Sequence, residues 1–177
     1  MPGIAYTFTK LPSAQQSSAG GKGSTLARLY KAGYPVPDGF VVLPAAFTGD
    51  EISPDAWPQV QAHLKHLRSD DPDAAFAVRS SAVAEDSALA SFAGAFETVL
   101  NVNSDEEIRT AINTVYQSRH SERVKAYSQA QGVPVFHEMA VIVQRLVKAD
   151  ISRGLVHRRP GHQQPGAYGG QLRQRTR

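Results

Sequence analysis

All 16 acidic residues of this 177-residue chain lie at or before Asp150, while residues 153–177 hold six arginines and no acidic residue. Residues 1–152 carry the other 13 basic residues, so they bear a net charge of −3 against +6 on the segment that follows. That break limits the foldable part to the first 152 residues. A basic stretch of Gly, Gln and Pro with few apolar side chains has little to bury and is expected to stay disordered. The whole chain has 41% hydrophobic and 20% charged residues, which suffices for one sizeable core. The chain has no cysteine, which excludes disulfides, thiolate metal sites and a cysteine nucleophile. No apolar run reaches the roughly 18–20 residues of a membrane helix. Met1–Lys10 lacks the basic start and apolar stretch of a secretory signal, so the expected address is the cytoplasm.

Before Ser152, short apolar strands alternate with segments of helical period, predicting an α/β or α+β domain. Gly20-Gly21-Lys22-Gly23 opens a helix expected over Ser24–Ala32, with Gly33 as its C-terminal stop. Pro35-Val36-Pro37-Asp38-Gly39 reads as a rigid turn and Phe40–Leu43 as a buried strand, with Pro44 starting another helical turn. Residues 54–68 read as a helix, Phe76–Ser81 and Phe96–Val102 as strands. Ser104 is an N-cap followed by an acidic first turn for a helix reaching about Gln117, and a further helix spans about Ser121–Gln131. Met139–Val147 is the strongest strand signal, apolar through its middle as a central strand requires.

The glycine-rich run places a lysine and backbone N–H groups at a helix start, where partial positive charge suits phosphate oxygens. It is not a Walker A loop, because Gln16 and Gly23 stand where that motif needs Gly and Ser or Thr. The bland alternative is a turn with a solvated lysine. Arg79 ends an apolar strand between small residues, where a guanidinium can fork onto phosphate or carboxylate, or pair with Glu85 or Asp86. Ser91-Phe92-Ala93-Gly94 reads as a second close-approach loop or a simple turn. Gln144 and Arg145 interrupt an apolar strand and need partners: a sheet edge facing a ligand for Gln144, and Asp150 or Glu138 for Arg145. The six histidines show no metal-ligand spacing, and His63 and His66 read as solvated on a polar helix face.

In series, G-G-K-G-S-T-L-A-R-L-Y-K-A-G-Y-P-V-P-D-G-F-V-V, F-A-V-R-S-S-A-V-A-E-D-S-A-L-A-S-F-A-G-A-F-E-T-V-L-N-V and M-A-V-I-V-Q-R-L-V resemble one family. It is the ATP-binding domain of phosphoenolpyruvate synthase, pyruvate phosphate dikinase and rifampicin phosphotransferase. The resemblance implies an ATP-grasp-like domain of two lobes, of which this chain carries the first only. It also implies that Lys22 and Arg79 contact phosphates, that Gly94 and Thr98 contact the nucleotide from a loop and a strand, and that Gln144 stands at the adenosine end. Magnesium is expected for the full-length enzyme, with ligands from the second lobe. A carrier histidine and a pyruvate-like acceptor also belong to the full-length enzyme, so no catalytic residue is expected here. The alternative class is a non-catalytic nucleotide-binding or regulatory module.

The family pattern continues after the last strand with something like S-G-V-L-F-T-A-D-P-V-T. Synonymous codons exist for Arg153–Arg173 that, read one base later, spell G-V-L-F-T-A-D-P-V-T. Residues 153–177 are accordingly expected to be an out-of-frame tail. The competing reading is a genuine basic arm that binds nucleic acid through phosphate contacts. Tyr168 alone supplies aromatic character there, so no specific nucleic-acid partner is expected.

Overall fold

The computed structural model describes residues 3–82, 96–131 and 138–147. Five strands form its main sheet, in the order β1-β2-β7-β5-β6: β1 (Ala5–Thr7), β2 (Gly39–Val42), β5 (Phe76–Ala82), β6 (Thr98–Val102) and β7 (Met139–Arg145). Every neighbouring pair runs antiparallel. A separate two-stranded ribbon pairs β3 (Phe47–Thr48) with β4 (Glu51–Ile52). The alternating strands and helices therefore resolve to α+β, not to the parallel sheet of an α/β fold. As its composition predicts, β7 is central, and its first six residues are buried on both faces.

One face packs α2 (Trp57–Leu67) and α3 (Asp105–Gln117) over Phe40, Val42, Phe76, Val78, Val141 and Val143. Each helix contributes an apolar stripe at three- and four-residue spacing: Val60, Leu64 and Leu67 from α2, and Ile108, Ala111, Ile112 and Val115 from α3. Ser104 caps α3 in a full capping box, accepting from the Glu107 amide while the Glu107 carboxylate accepts from the amides of Ser104 and Asn103. These backbone donors hold the Glu107 carboxyl below its usual range. α4 (Glu122–Gln131) follows a short 3-10 turn after α3.

The opposite face carries α1 (Gly20–Lys31), packed on Val41, Ala140 and Ile142 together with Phe8 and Leu11. α1 ends as expected. Gly33 takes φ +80°, its amide donates to the Tyr30 carbonyl, and the Tyr34 amide reaches back to Leu29, a Schellman arrangement. α1 begins four residues earlier than its sequence suggests, with the glycine run as its first turn.

His63 is half-buried, not solvated. Its Nε2 lies 3.3 Å from the Ala5 carbonyl and its ring 5.2 Å from Phe40, and burial lowers its pKa. Arg145 pairs with Asp70 through two bonds of 2.9 and 3.1 Å, an ion pair across the chain in place of the expected one with Glu138, while Asp150 lies outside the described residues. Arg119, 6% exposed, donates to the Tyr116 and Gly49 carbonyls and to Asp50. Its guanidinium lies 3.7 Å from the centre of the Tyr116 ring, which in turn stacks on Phe47 at 3.6 Å. Among the described residues, no helix is long and apolar enough to cross a membrane.

Candidate functional site: a basic cleft at the start of helix α1

The glycines of the first turn of α1 are used for close packing against the sheet. Gly20 has φ +70°, and a Cβ there would sit 2.5 Å from Ser81 Oγ and closer still to the Ser81 carbonyl oxygen. A Cβ on Gly23 would meet Val41 and Ala19 at 3.3–3.4 Å. At Gly20 this turn thus lies on β5 at a distance only glycine allows, and at Gly23 it packs tightly on β2. Of its amides, Ala19 donates to the Gln15 carbonyl, Gly20 to the Ser17 carbonyl, and Gly23 to Ser81 Oγ at 2.9 Å. Gly21 and Lys22 occupy the next two positions of the same turn.

Strand alternation puts the rest of the site on the same sheet face. Ser81, Arg79 and Ala77 point to the side of α1, and they pair across to Ala140, Ile142 and Gln144 of β7. Arg79 also pairs directly with Thr98 of β6, and Ala77 with Leu100. Lys22, Thr25, Leu26 and Arg79 line one cavity of about 230 Å³. Beyond it on the same face, Thr98 is exposed, and Leu100 is 58% exposed, an unusual state for a leucine in a strand. The groups gathered here are an ammonium, a guanidinium, hydroxyls and helix-start amides, all able to donate to an anion. Among the described residues, no cluster of three or more His, Asp or Glu side chains has the arrangement of a metal site.

Lys22 and Arg79, expected together from separate motifs, line this one cavity, and Thr98 lies beside Arg79 in register. Gln144 shares the face but stands one strand pair along from Arg79, opposite Ala77 and Gly39. The expectation that it sits on a sheet edge is corrected: β7 is central, Gln144 is buried, and its Nε2 donates to the Pro37 carbonyl at 2.9 Å. This bond ties the Pro37–Asp38 turn to the end of β7, where the Arg145 amide also donates to the Asp38 carbonyl. Gly94 and the two acidic candidates for pairing with Arg79, Glu85 and Asp86, lie outside the described residues. Thr25, Leu26 and Ser81 join the site without having been singled out in the sequence. Thr25 is legible once the helix is started at Gly20, because it then falls three residues from Lys22 on one face.

Comparison with known families decides the assignment. Residues 43–161 match the pyruvate phosphate dikinase AMP/ATP-binding domain. The chain belongs to this family. The matched range contains Arg79, Gly94, Thr98 and Gln144, begins after α1 and Lys22, and ends beyond the compositional break at Ser152. Among curated relatives, the uncharacterized phosphotransferase YvkC of Bacillus subtilis is 32% identical over 168 residues, covering 83% of this chain and 20% of that protein. The phosphoenolpyruvate synthase of Escherichia coli is 36% identical over 104 residues, covering 57% of this chain and 13% of that enzyme. A rifampicin phosphotransferase of a Streptomyces species is 33% identical over 183 residues, covering 81% of this chain and 21% of that enzyme. The chain thus spans about a fifth or less of the length of these relatives.

Proposed function

We propose that residues 1–152 form the first lobe of an ATP-grasp-like domain in a phosphoenolpyruvate-synthase-like phosphotransferase of the cytoplasm. Lys22 and Arg79 hold the phosphates of ATP, Thr98 and Gly94 contact the nucleotide, and Gln144, through the turn it anchors, shapes the adenosine end. The whole enzyme transfers a phosphoryl group from ATP by way of a carrier histidine to pyruvate or a similar acceptor. Magnesium is held by groups outside this lobe together with the phosphates.

The observation that carries this reading is the convergence of Lys22 and Arg79 on one cavity at a helix start. The helix-start amides and a forked guanidinium suit phosphate oxygens, and two fixed cations offset charge that shifts as a phosphoryl group leaves. Membership of an AMP/ATP-binding family supports the choice of nucleotide over other anions. The test is titration of the chain with ATP. Lys22→Ala and Arg79→Ala should each weaken binding about tenfold or more, the range for losing a charge-assisted bond. Unchanged affinity in both variants overturns the assignment.

A further inference from the structure

We propose that Ser81 is a positioning residue for nucleotide binding, a latch that fixes the start of α1, and with it Lys22, against the strand that carries Arg79. The inference rests on the reading of Lys22 and Arg79 as the phosphate-binding pair. Ser81 is fully buried, and its hydroxyl makes two bonds of opposite sense: it accepts from the Gly23 amide at 2.9 Å and donates to the Ala19 carbonyl at 2.7 Å. Ala19 and Gly23 stand four apart, so they are the carbonyl and amide of the first turn's own pair. A side chain from β5 therefore joins both ends of the first turn of α1.

The local sequence gives this helix no cap of its own. Ala19 occupies the N-cap position and makes no side-chain bond. Three of the first four helical residues are glycines, which hold helical geometry poorly by themselves. Their lack of side chains lets the turn approach β5 closely enough for the Ser81 hydroxyl to reach both groups. Ser81 and Arg79 lie on one face of one strand, two residues apart. The latch therefore sets Lys22 in a fixed relation to Arg79. Two cations converge on one ligand only if that relation is held before the ligand arrives, since ordering a helix start on binding subtracts from affinity.

The test is a double-mutant cycle on ATP affinity in the full chain. Ser81→Ala should weaken ATP binding about three- to tenfold in the otherwise unaltered chain. In a Lys22→Ala background the same change should cost clearly less, within about twofold, because the ammonium is gone and only the helix-start amides remain to be positioned. An equal loss in both backgrounds would mark Ser81 as a general stabiliser, and no loss in either would leave it without a role at the site. Both results overturn the latch. If Lys22→Ala and Arg79→Ala have no effect themselves, the phosphate-site reading fails instead. A measurement on the unmutated chain covers the case in which Ser81→Ala does not fold. The Gly23 amide should exchange with solvent as slowly as the paired amides of β5, and exchange at the rate of an exposed amide overturns the proposal.

Discussion

Replacing Gly20 with alanine probes the close approach of α1 to the sheet, and Gly33→Ala supplies its internal control. Both glycines have positive φ, +70° and +80°, so each substitution meets the same left-handed penalty of about 1–2 kcal/mol. Both also remove a similar amount of chain entropy from the unfolded state, about 0.4–1 kcal/mol in the stabilising direction. They differ in surroundings. A Cβ at Gly33 meets nothing within 4 Å, whereas one at Gly20 lies 2.5 Å from Ser81 Oγ and 2.7 Å from the Ser81 carbonyl carbon. Backbone cannot rotate away as a flexible side chain would. The helix start must therefore shift, at the overpacking cost of about 1–3 kcal/mol. Gly20→Ala should accordingly be less stable than Gly33→Ala by that amount. With a urea slope of about 2 kcal/mol per molar, its unfolding midpoint should fall about 0.5–1.5 M below that of the control. Equal midpoints would refute the packing argument and return the glycine run to a solvated turn.

Further outcomes follow from buried polar groups elsewhere. Arg119→Met keeps bulk but deprives the Tyr116 and Gly49 carbonyls and Asp50 of their donor and removes the cation from the Tyr116 ring. It should cost about 2–3 kcal/mol in chemical denaturation, and a loss under about 0.5 kcal/mol would show that water replaces the guanidinium freely. His63 has a folded-state pKa below its unfolded value of about 6.5, chiefly because burial disfavours the charged ring. Its contribution is therefore complete above that value and is lost as pH falls below it, since the unfolded chain binds the proton first. The stability of His63→Phe should depend less on pH between about 7 and 5 than that of the parent chain, and identical slopes would contradict the assignment.

Much of the scaffold is legible in the sequence because its signals are local. Ser104 and Glu107 announce the start of α3, Gly33 the end of α1, and the unbroken apolar run of Met139–Val143 a strand covered on both faces. What the sequence conceals depends on partners distant along the chain. The start of α1 hides behind three glycines because the group that stabilises it, the Ser81 hydroxyl, comes from a strand across the fold. Gln144 looks like an edge residue until the Pro37 carbonyl, on the turn before β2, is seen to accept from it. Arg145 likewise finds Asp70, 75 residues away in the loop before β5. Strand direction is also invisible locally, so alternating strands and helices leave α/β and α+β both open, and the antiparallel pairings of the described strands decide for α+β. The phosphate-site candidates were readable because they are the polar exceptions in apolar or glycine-rich segments.

The most direct test of the central claim is to map backbone amide shifts of the chain as ATP is added. Binding at the proposed site should move the amides of Gly21–Leu26, Arg79 and Thr98 together and leave those of α2 and α3 unchanged. Shifts concentrated on α2 and α3, on the opposite face of the sheet, or no saturable shift at millimolar ATP, would contradict it.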